Sequence, residues 1–534
     1  MRRKHLLALL AVTIGSICAW CWWSPPSAND LVSGDEGYYG VMARNVLASP
    51  RFLVSPSLWP EGPPGDKPPL YPAMLAVSLR LFGVGEHAVR GPSFGFAAIS
   101  ALALAYLLRK SAGPWSAVAG AALLVTLPWF ADASRGAAAE IPTTTFGLLA
   151  IACLAGNPSS WKRGLLSGVL LGLAFLCKLW LVAPFALACL SIIGFEARAR
   201  RTLVPLLVGA TGTGALHGLS VLLLAPDARD HWLLMYFGRS LLEKGTGQGN
   251  VGGWVKHPAY YWALLIHAIA LMFPLACAGA ESALRRIREP VPRAILVWAA
   301  CIGVLSSFAV KTGIYAYVIV PAWVALAALG AHATSRGERP SLATIALGVI
   351  LSSPWLIPNE AGQRLQLLIW GATWAIALVA WSLGSRRVRW GPAAAVGLVV
   401  IAAVGGFVRE AQRLPVRYNQ TGLRVLAATV DSLVLGTPAA VASFVSPEAP
   451  ALSFYLFKTG TYWHTPHMPW SPERREWISS NKDLRFFVVD TTGRLYGGAP
   501  DSLMMAWLVR ETVEVTEPFR ARLGRETPLR VFAR

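Results

Sequence analysis

The sequence predicts a polytopic α-helical membrane protein with about thirteen transmembrane helices and a small C-terminal α/β domain. Hydrophobic residues fill 54% of the 534 positions and charged residues only 14%, and the mean hydropathy of +0.49 is too high for an ordinary soluble domain. Apolar runs long enough to cross a bilayer recur over most of the chain. Beyond about residue 409, short segments rich in β-branched and aromatic residues replace them.

The apolar runs define the predicted membrane part, residues 1–408. Each run approaches or exceeds the length that a helix needs to cross the hydrocarbon core. We place the spans at approximately 5–23, 87–109, 114–130, 139–155, 163–176, 179–194, 203–224, 258–279, 293–309, 314–333, 341–357, 365–384 and 391–408. Two longer stretches between spans, 24–86 and the Gly-rich 225–257, are predicted to be loops on the outer side.

Lysine and arginine residues in the short loops give the predicted orientation. They accumulate at every second crossing, and the positive-inside rule makes that side cytoplasmic. The N-terminus is therefore expected in the cytoplasm and the C-terminal domain outside. Because most of the formal net charge of +20 is explained by this pattern, nucleic acid is not an expected partner. The cytoplasmic set is Arg2, Arg3, Lys4, Arg109, Lys110, Lys162, Arg163, Arg198, Arg200, Arg201, Arg285, Arg286, Arg288, Arg293, Arg336, Arg339, Arg386, Arg387 and Arg389.

Residues 409–534 are predicted to form the small outer α/β domain. The segments "AAVASFV", "LRFFVVD" and "TPLRVFAR" are typical of short strands. The segment "SPERREWISSNKD" between them predicts a polar helix followed by a loop.

Two lysines interrupt long apolar runs. The run from 163 to 195 is too long for one span, so we predict two spans that meet at Lys178. The run from 293 to 333 has Lys311 in the same kind of position. A lysine at such a turn could simply extend to the membrane interface. However, both lysines fall on the outer side, which is otherwise poor in positive charge.

Other charged residues share that outer side. Lys67 lies in the first loop and Arg135 follows the third span. Together with Lys178 and Lys311 they place four cations at one aqueous boundary. Such a group suits an anion, for example a phosphate at the level of the lipid headgroups.

Carboxylates are also predicted at this boundary. Adjacent acids such as Asp35 and Glu36 are often no more than a solvated loop pair, and Glu140 could be an acid favoured at a helix N-terminus by the macrodipole. Transfer of a group at an acetal carbon needs a base for the acceptor hydroxyl and stabilisation of the departing anion. A carboxylate close to lysines and arginines supplies both functions. Asp35, Glu36 and Glu140 are the catalytic candidates, and Asp35 is also the candidate ligand of a divalent metal.

Six motifs in order resemble those of a known family. "DEGYYGVMARNVL" and "GDKPPLYPAMLAVSLRLFGVGEHAVRGPS" are similar to the first-loop signature of the C-type membrane glycosyltransferases. "ASRGAAAEIP", "GLAFLCKLWLVAP", "WVKHPAYYWALLIHAIALMFP" and "SSFAVKTGIYAYVIVPAWVALAAL" resemble further elements of these enzymes, so the likeness runs from about residue 30 to 333. Within that family the chain most resembles the aminoarabinose transferases that modify lipid A and the protein O-mannosyltransferases.

The resemblance implies a C-type fold and transfer of a sugar from a polyprenyl-phosphate donor, on the periplasmic face of a bacterial inner membrane, to a lipid or protein acceptor. It implies that Asp35 is the catalytic base or the acid that positions the acceptor. Tyr38 stands where the aminoarabinose group tends to carry an arginine, a departure that leaves the sugar open. The residues implied to bind the lipid phosphate are Asp66 (where the family usually has Glu), Lys67, Arg90, Arg135, Lys178, Lys311 and Tyr315.

Two other classes of protein fit parts of the pattern. A transporter or flippase for a lipid-linked or anionic substrate would also carry ionisable residues in its spans, but near the bilayer midplane on broken helices of repeated halves. A scaffold or sensor would instead bind a partner through the outer domain. The charged residues here lie at the ends of predicted spans, which favours the enzyme.

Overall fold

A computed structural model describes residues 31, 34–54, 67–195, 198–234, 272–303, 313–352, 423–433, 440–443, 452, 454–456, 460–463, 470–490, 502–523 and 529–534, with a few isolated positions elsewhere. The predicted spans 5–23 and 391–408 lie outside these residues. The same holds for most of the predicted span 365–384 and of the loop 225–257.

The chain divides into two compact units. The first comprises residues 1–25, 63–71 and 90–412, and the second comprises residues 26–62, 72–89 and 413–534. Residues of the predicted first outer loop therefore cluster with the C-terminal part of the chain.

Helices dominate the first unit, and three apolar helical segments in the described part of the chain are long enough to cross a membrane: Glu86–Ala112, Trp161–Gly194 and Ala199–Leu224. The first two described helices, α1 Gly34–Ala48 and α2 Arg51–Val54, belong to the second unit, as does most of α3 Leu70–Phe82. The described helices that follow are α4 Glu86–Ala112, α5 Pro114–Thr126, α6 Pro128–Arg135, α7 Glu140–Gly156, α8 Trp161–Lys178, α9 Ala183–Gly194, α10 Leu203–Leu224, α11 Arg229–Leu233, α12 Phe273–Arg285, α13 Pro290–Ala300, α14 Val320–Ser335 and α15 Leu342–Leu351. Short 3₁₀ helices occupy Leu179–Val182, Ala199–Thr202, Pro226–Ala228 and Gly313–Val318.

Helices α7 and α8 form an antiparallel hairpin over their full lengths. Near the loop that joins them, the Arg163 guanidinium contacts the Cys153 carbonyl, and the Ser167 hydroxyl donates to the Ala150 carbonyl at 3.0 Å. The register is the same at the far end of the hairpin, where Glu140 meets Lys178. The first and last residues of the pair are therefore neighbours at one end of the bundle.

The chain reverses again immediately after Lys178. Ser167 on α8 lies 3.7 Å from Cys189 on α9, and these residues are equally far from Lys178 along the chain. Helices α8 and α9 are thus antiparallel, separated by the 3₁₀ helix Leu179–Val182. The predicted break of this apolar run at Lys178 is therefore observed.

Glycines allow helices α8 and α10 to pack backbone to backbone. A Cβ atom added at Gly168 would overlap the Leu206 carbonyl, and one at Gly209 would overlap the Leu165 carbonyl. Such small-residue contacts are the usual way in which helices associate in lipid, where apolar surface alone provides little drive. The same device joins α12 to α14 through Gly279 and Gly330.

Several predicted cytoplasmic cations meet at the end of the bundle remote from Glu140. The Lys110 ammonium donates to the Ala155 carbonyl at 2.6 Å, and the Arg286 guanidinium donates to the Ser111 carbonyl at 2.6 Å. The buried Arg293 donates to the Ser191 carbonyl at 2.8 Å. Since α7 has 17 residues, its two ends lie about 25 Å apart, roughly the thickness of a bilayer core.

The second unit contains helices from both ends of the chain and a mixed five-stranded sheet. From the N-terminal region of the chain it contains α1, α2 and most of α3. The sheet has the order β2-β1-β3-β5-β4; β1 is parallel to β2 and β3, and β5 is antiparallel to β3 and β4. The C-terminal elements are α16 Leu423–Leu433, β1 Ala440–Ser443, β2 Gly460–Trp463, α17 Pro472–Ser480, β3 Leu484–Asp490, α18 Ser502–Glu511, β4 Val513–Glu514, α19 Thr516–Leu523 and β5 Leu529–Ala533.

The three predicted strands correspond to β1, β3 and β5, and the predicted polar helix corresponds to α17. The small C-terminal sheet is therefore confirmed. The buried side chains of Phe487, Trp507 and Phe532 form its core together with Ile478 and Leu508.

We expect Gly168→Ala to destabilise the helical unit, because the added methyl group would collide with backbone that cannot move aside. Overpacking of this kind costs about 1–3 kcal/mol. Gly212→Ala is the matched control: it lies on α10 and a Cβ there meets no atom within 4 Å. Thermal unfolding midpoints of the two variants in detergent measure the difference, and equal midpoints would contradict the close α8–α10 contact.

Candidate functional site

A buried ion pair joins the ends of helices α7 and α8. The Lys178 ammonium lies 3.0 Å from the Glu140 carboxylate, with side-chain exposures of 10% and 1%. Glu140 is the first residue of α7 and Lys178 is the last residue of α8. Each charge therefore faces the helix end that favours it, a carboxylate at an N-terminus and an ammonium at a C-terminus.

The backbone at Lys178 is shaped by its neighbour Leu179. Leu179 has φ 46°, a left-handed conformation that side chains other than Gly rarely adopt. Its N–H still bonds to the Phe175 carbonyl, and the 3₁₀ helix begins at the same residue. Such a conformation costs of order 1–3 kcal/mol and persists only where the surrounding packing enforces it. The Leu179 conformation ends α8 at Lys178 and redirects the chain toward α9.

A hydrogen-bonded serine anchors the turn that leads into Glu140. The Ser93 hydroxyl on α4 accepts the Ala138 N–H at 3.3 Å and lies 2.6 Å from the Tyr71 hydroxyl. The Thr143 hydroxyl donates to the Ala139 carbonyl at 2.8 Å. The two hydrogen bonds of Ser93 connect the starts of α3 and α7 to one position of α4.

The predicted cations Arg90 and Arg135 flank this anchored turn. Arg90 lies one helical turn before Ser93, and Arg135 is the last residue of α6, just before the turn. Both side chains are buried, with 4% and 7% exposure. Lys67, four residues before Tyr71, is half-buried. Two buried guanidinium groups give this region of the unit a cationic character, which suits an anionic ligand.

Tyr315 lies on a 3₁₀ helix, Gly313–Val318, that packs against both α6 and α7. Its side chain is half-buried against the apolar core. The buried Trp298 indole donates to the Val318 carbonyl at 2.8 Å and fixes the end of this 3₁₀ helix. This packing brings Tyr315, from the quoted motif that begins at residue 306, close to α7.

Asp35 and Glu36 are in the second unit, in the first turn of α1. Asp35 is half-buried, whereas Glu36 is only 4% exposed. The alternative that Asp35 and Glu36 are only a solvated loop pair is therefore wrong for Glu36, which is buried in a helix. The other two predicted site residues, Asp66 and Lys311, lie outside the described residues. In the described part of the chain, no three His, Cys, Asp or Glu side chains are grouped closely enough to hold a metal ion.

Sequence reasoning missed the residues that hold the site in place. Ser93 and Tyr71 were inconspicuous because a hydroxyl in an apolar run is usually bonded within its own helix. Trp298 looked like one more apolar residue of a predicted span. The only available signal was the position of Ser93 one turn after Arg90 in the quoted motif "EHAVRGPS".

Comparison with known proteins supports the fold and the motif assignment. Residues 66–224 match the family of dolichyl-phosphate-mannose-protein mannosyltransferases. This range contains Lys67, Arg90, Arg135, Glu140 and Lys178. No curated protein matches the chain by sequence.

Solved structures match the chain over nearly its whole length. ArnT from Cupriavidus metallidurans bound to undecaprenyl phosphate is 17% identical, with a TM-score of 0.61 and coverage of 100% of this chain and 98% of that chain. Its apo state gives 16% identity and a TM-score of 0.62 over the same shares. The oligosaccharyltransferase AglB from Archaeoglobus fulgidus, in complex with an inhibitory peptide and a dolichol-phosphate, gives 13% identity and a TM-score of 0.54, covering 92% and 70%. The multi-span fold predicted from the motifs is confirmed, although the number of spans is not established by these matches.

We expect that removing either member of the Lys178–Glu140 pair destabilises the helical unit more than removing both. Each single variant, Lys178→Met or Glu140→Gln, leaves one buried group without its partner, which costs about 3 kcal/mol. The double variant leaves no buried charge at this position and should lose less stability than either single variant. Unfolding midpoints in detergent measure the coupling, with Arg229→Ala as the control because Arg229 forms an exposed pair with Asp230. Additive losses would show that the two side chains act independently.

Proposed function

We propose, from the premise that the chain is a membrane glycosyltransferase of the C-type fold, that it transfers a sugar from a polyprenyl-phosphate donor to an envelope acceptor. The premise rests on the family match over residues 66–224 and on the fold. The donor class is suggested by the structures with that fold, which contain undecaprenyl phosphate in one case and dolichol-phosphate in another.

The buried Lys178–Glu140 pair is the observation that carries the proposal. It lies at the end of the α7–α8 hairpin, in the same region of the unit as the buried Arg90 and Arg135. The four side chains carry three positive charges and one negative charge. Cationic side chains held in a low-dielectric setting suit a phosphate whose charge grows during the reaction. An ion pair at helix ends is less typical of a transporter, which carries its ionisable residues near the bilayer midplane.

In the proposed mechanism, an oxygen of the acceptor attacks the anomeric carbon of the donor sugar from the face opposite the phosphate. The new carbon–oxygen bond forms as the bond to the phosphate oxygen breaks, so the configuration at the anomeric carbon inverts. The polyprenyl phosphate leaves with the electron pair. We assign stabilisation of this charge to Lys67, Arg90, Arg135, Lys178 and Lys311, with Tyr315 and Asp66 completing the phosphate pocket.

Asp35 is the proposed base when the acceptor is a hydroxyl. It would take the acceptor proton as the new bond forms, whereas a phosphate acceptor needs no base. Glu36 and Glu140 remain the other catalytic candidates. Of these, Glu140 is engaged by Lys178 and is better suited to orient that lysine than to accept a proton. A divalent metal at Asp35 is an additional proposal.

We place the reaction on the periplasmic face of a bacterial inner membrane, with the N-terminus in the cytoplasm and residues 409–534 outside. The proposed acceptors are a lipid A-like lipid or a protein hydroxyl group. The charge pattern of the short loops supports this orientation.

We expect Asp35→Asn and Lys178→Ala each to reduce sugar transfer by about 100-fold or more, because one removes the base and the other a charge that stabilises the leaving phosphate. The assay is transfer from a lipid-linked sugar donor in membranes carrying each variant. Lys162→Ala is the matched control, since Lys162 lies exposed at the other end of α8. Full activity of both site variants would refute the mechanism.

Comparing the mass spectra of envelope lipids and glycoproteins from cells with and without the protein identifies the acceptor and the sugar. We expect one lipid or protein species to lose the mass of a single sugar when the protein is absent. Identical spectra would argue against transfer to an envelope molecule.

A further inference from the structure

Within the second unit, Leu452, Phe454, Tyr455 and Leu456 hold helix α1 at two places. All four side chains are buried, with 1–6% exposure. They are more than 400 positions away from α1 along the chain, so the contact is a product of tertiary structure. We refer to these four residues as the clamp segment.

The first attachment is the Tyr455 hydroxyl at the entry to α1. It accepts the Leu31 N–H at 2.6 Å, three residues before the helix begins at Gly34. The same hydroxyl donates to the Glu86 carboxylate at 3.0 Å. One oxygen atom therefore serves as acceptor to the α1 entry and as donor to a carboxylate, which fixes its orientation.

Glu86 is the anchor of this chain of hydrogen bonds. Glu86 is only 6% exposed. A carboxylate buried to this extent needs hydrogen-bond donors that replace the lost water. It receives the Tyr455 hydroxyl and, at 3.3 Å, the guanidinium of Arg424 on α16. The negative charge of Glu86 strengthens the bond from Tyr455, because hydrogen bonds to an ionised group are about twice as strong as neutral ones.

The second attachment is along the body of α1. The Arg44 guanidinium donates to the carbonyls of Phe454 at 2.5 Å and Leu456 at 3.2 Å. Burial lowers the pKa of Arg44, and the nearby Asp431 carboxylate opposes that effect. One turn earlier, a Cβ at Gly40 would lie 3.0 Å from the Phe454 ring, so Gly40 permits close approach of the clamp segment.

These two attachments lie on either side of Asp35 along the chain. Leu31 precedes it by four residues, and Gly40 follows it by five. At 100° per residue, Gly40 and Arg44 share a helix face, while Asp35 lies about 140° around the axis from Gly40. The clamp segment thus contacts a face of α1 different from the one that carries Asp35, and it fixes both the axial position and the rotation of the helix.

We infer that Tyr455 is a positioning residue for Asp35, acting through the Leu31 N–H and the Glu86 carboxylate at the entry to α1. The inference rests on the proposed function, in which Asp35 is the base. By this inference the C-terminal part of the chain has a role in catalysis, because Tyr455 sets the position of the Asp35 carboxylate. A displacement of about 1 Å at a catalytic group can cost as much as 100-fold in rate.

Tyr455→Phe tests the inference in the full-length protein with a lipid-linked sugar donor. The variant keeps the ring and removes the hydroxyl, leaving the Leu31 N–H and Glu86 each with one bond fewer. We expect kcat to fall by about 10-fold with the donor KM nearly unchanged, because the donor phosphate is assigned to other residues. Tyr106→Phe, on α4 at a partly exposed position, is the matched control and should keep full activity.

Amide hydrogen exchange supplies a readout that does not depend on activity. We expect peptides that cover residues 31–44 to exchange faster in Tyr455→Phe than in the parent, and the sheet peptides that cover 484–490 to be unchanged. Glu86→Gln keeps an oxygen that can accept from Tyr455 and should change exchange and kcat less than Glu86→Ala does. If Glu86→Ala does not fold, the comparison of Glu86→Gln with the parent still provides the measurement.

A double-mutant cycle separates this inference from the proposed function. If Tyr455 acts through Asp35, adding Tyr455→Phe to Asp35→Asn should cause no further loss of kcat. Additive losses, an unchanged kcat or unchanged exchange at residues 31–44 in Tyr455→Phe would each overturn the inference and leave the proposed function standing. Full activity of Asp35→Asn would overturn the role of Asp35 as base, and the inference with it, whatever the exchange data show.

Discussion

The buried ion pair between Lys178 and Glu140 is the constraint on which the first unit depends. Two charges inside an apolar bundle lose a large hydration energy, and only close geometry makes their burial tolerable. Here they lie 3.0 Å apart at helix ends whose dipoles favour each of them. Any slip of α7 along α8 would separate them. The pair therefore fixes the register of the hairpin, and the Ser167–Ala150 bond lies in the same register.

That register separates two groups of charge. At one end of the hairpin the cations donate to main-chain carbonyls: Lys110 to Ala155, and Arg293 to Ser191. These cations satisfy helix ends, which is a structural role. At the other end Lys178 meets a carboxylate, and Arg90 and Arg135 are buried close to the start of α7. Lysines and arginines thus have different roles at the two ends. The hydrogen-bond partner of each cation, and not its charge, separates the structural cations from those of the candidate site.

Much of this was accessible from the sequence, since hydropathy and charge spacing are local properties. The predicted spans 87–109, 139–155 and 203–224 agree closely with α4, α7 and α10, and the break at Lys178 follows from length alone. Within the predicted first loop, α1 shows little periodic segregation of polar and apolar residues, and the apolar α3 has only 13 residues, too few for a predicted span; the sequence therefore predicts neither helix. The bonds that anchor the site, Ser93 to Ala138 and Tyr455 to Leu31, join residues 45 and 424 positions apart. No local pattern encodes such distances.

Residues 26–62 and 72–89 cluster with residues 413–534 in one compact unit, so the C-terminal part of the chain packs with residues from near the start of the chain. Phe454 and Tyr455 are buried within a unit that includes α1, so a fragment beginning near residue 409 would expose both rings and leave Glu86 behind. The buried Tyr455 hydroxyl bridges a backbone N–H and a carboxylate, so losing it would leave a buried polar group on each side with one hydrogen bond fewer. The strand and helix elements beyond residue 470 pack around their own core of Phe487, Trp507 and Phe532. The C-terminal part thus combines an independent hydrophobic core with a clamp segment whose partners lie near the start of the chain, and it is the second feature that ties it to Asp35.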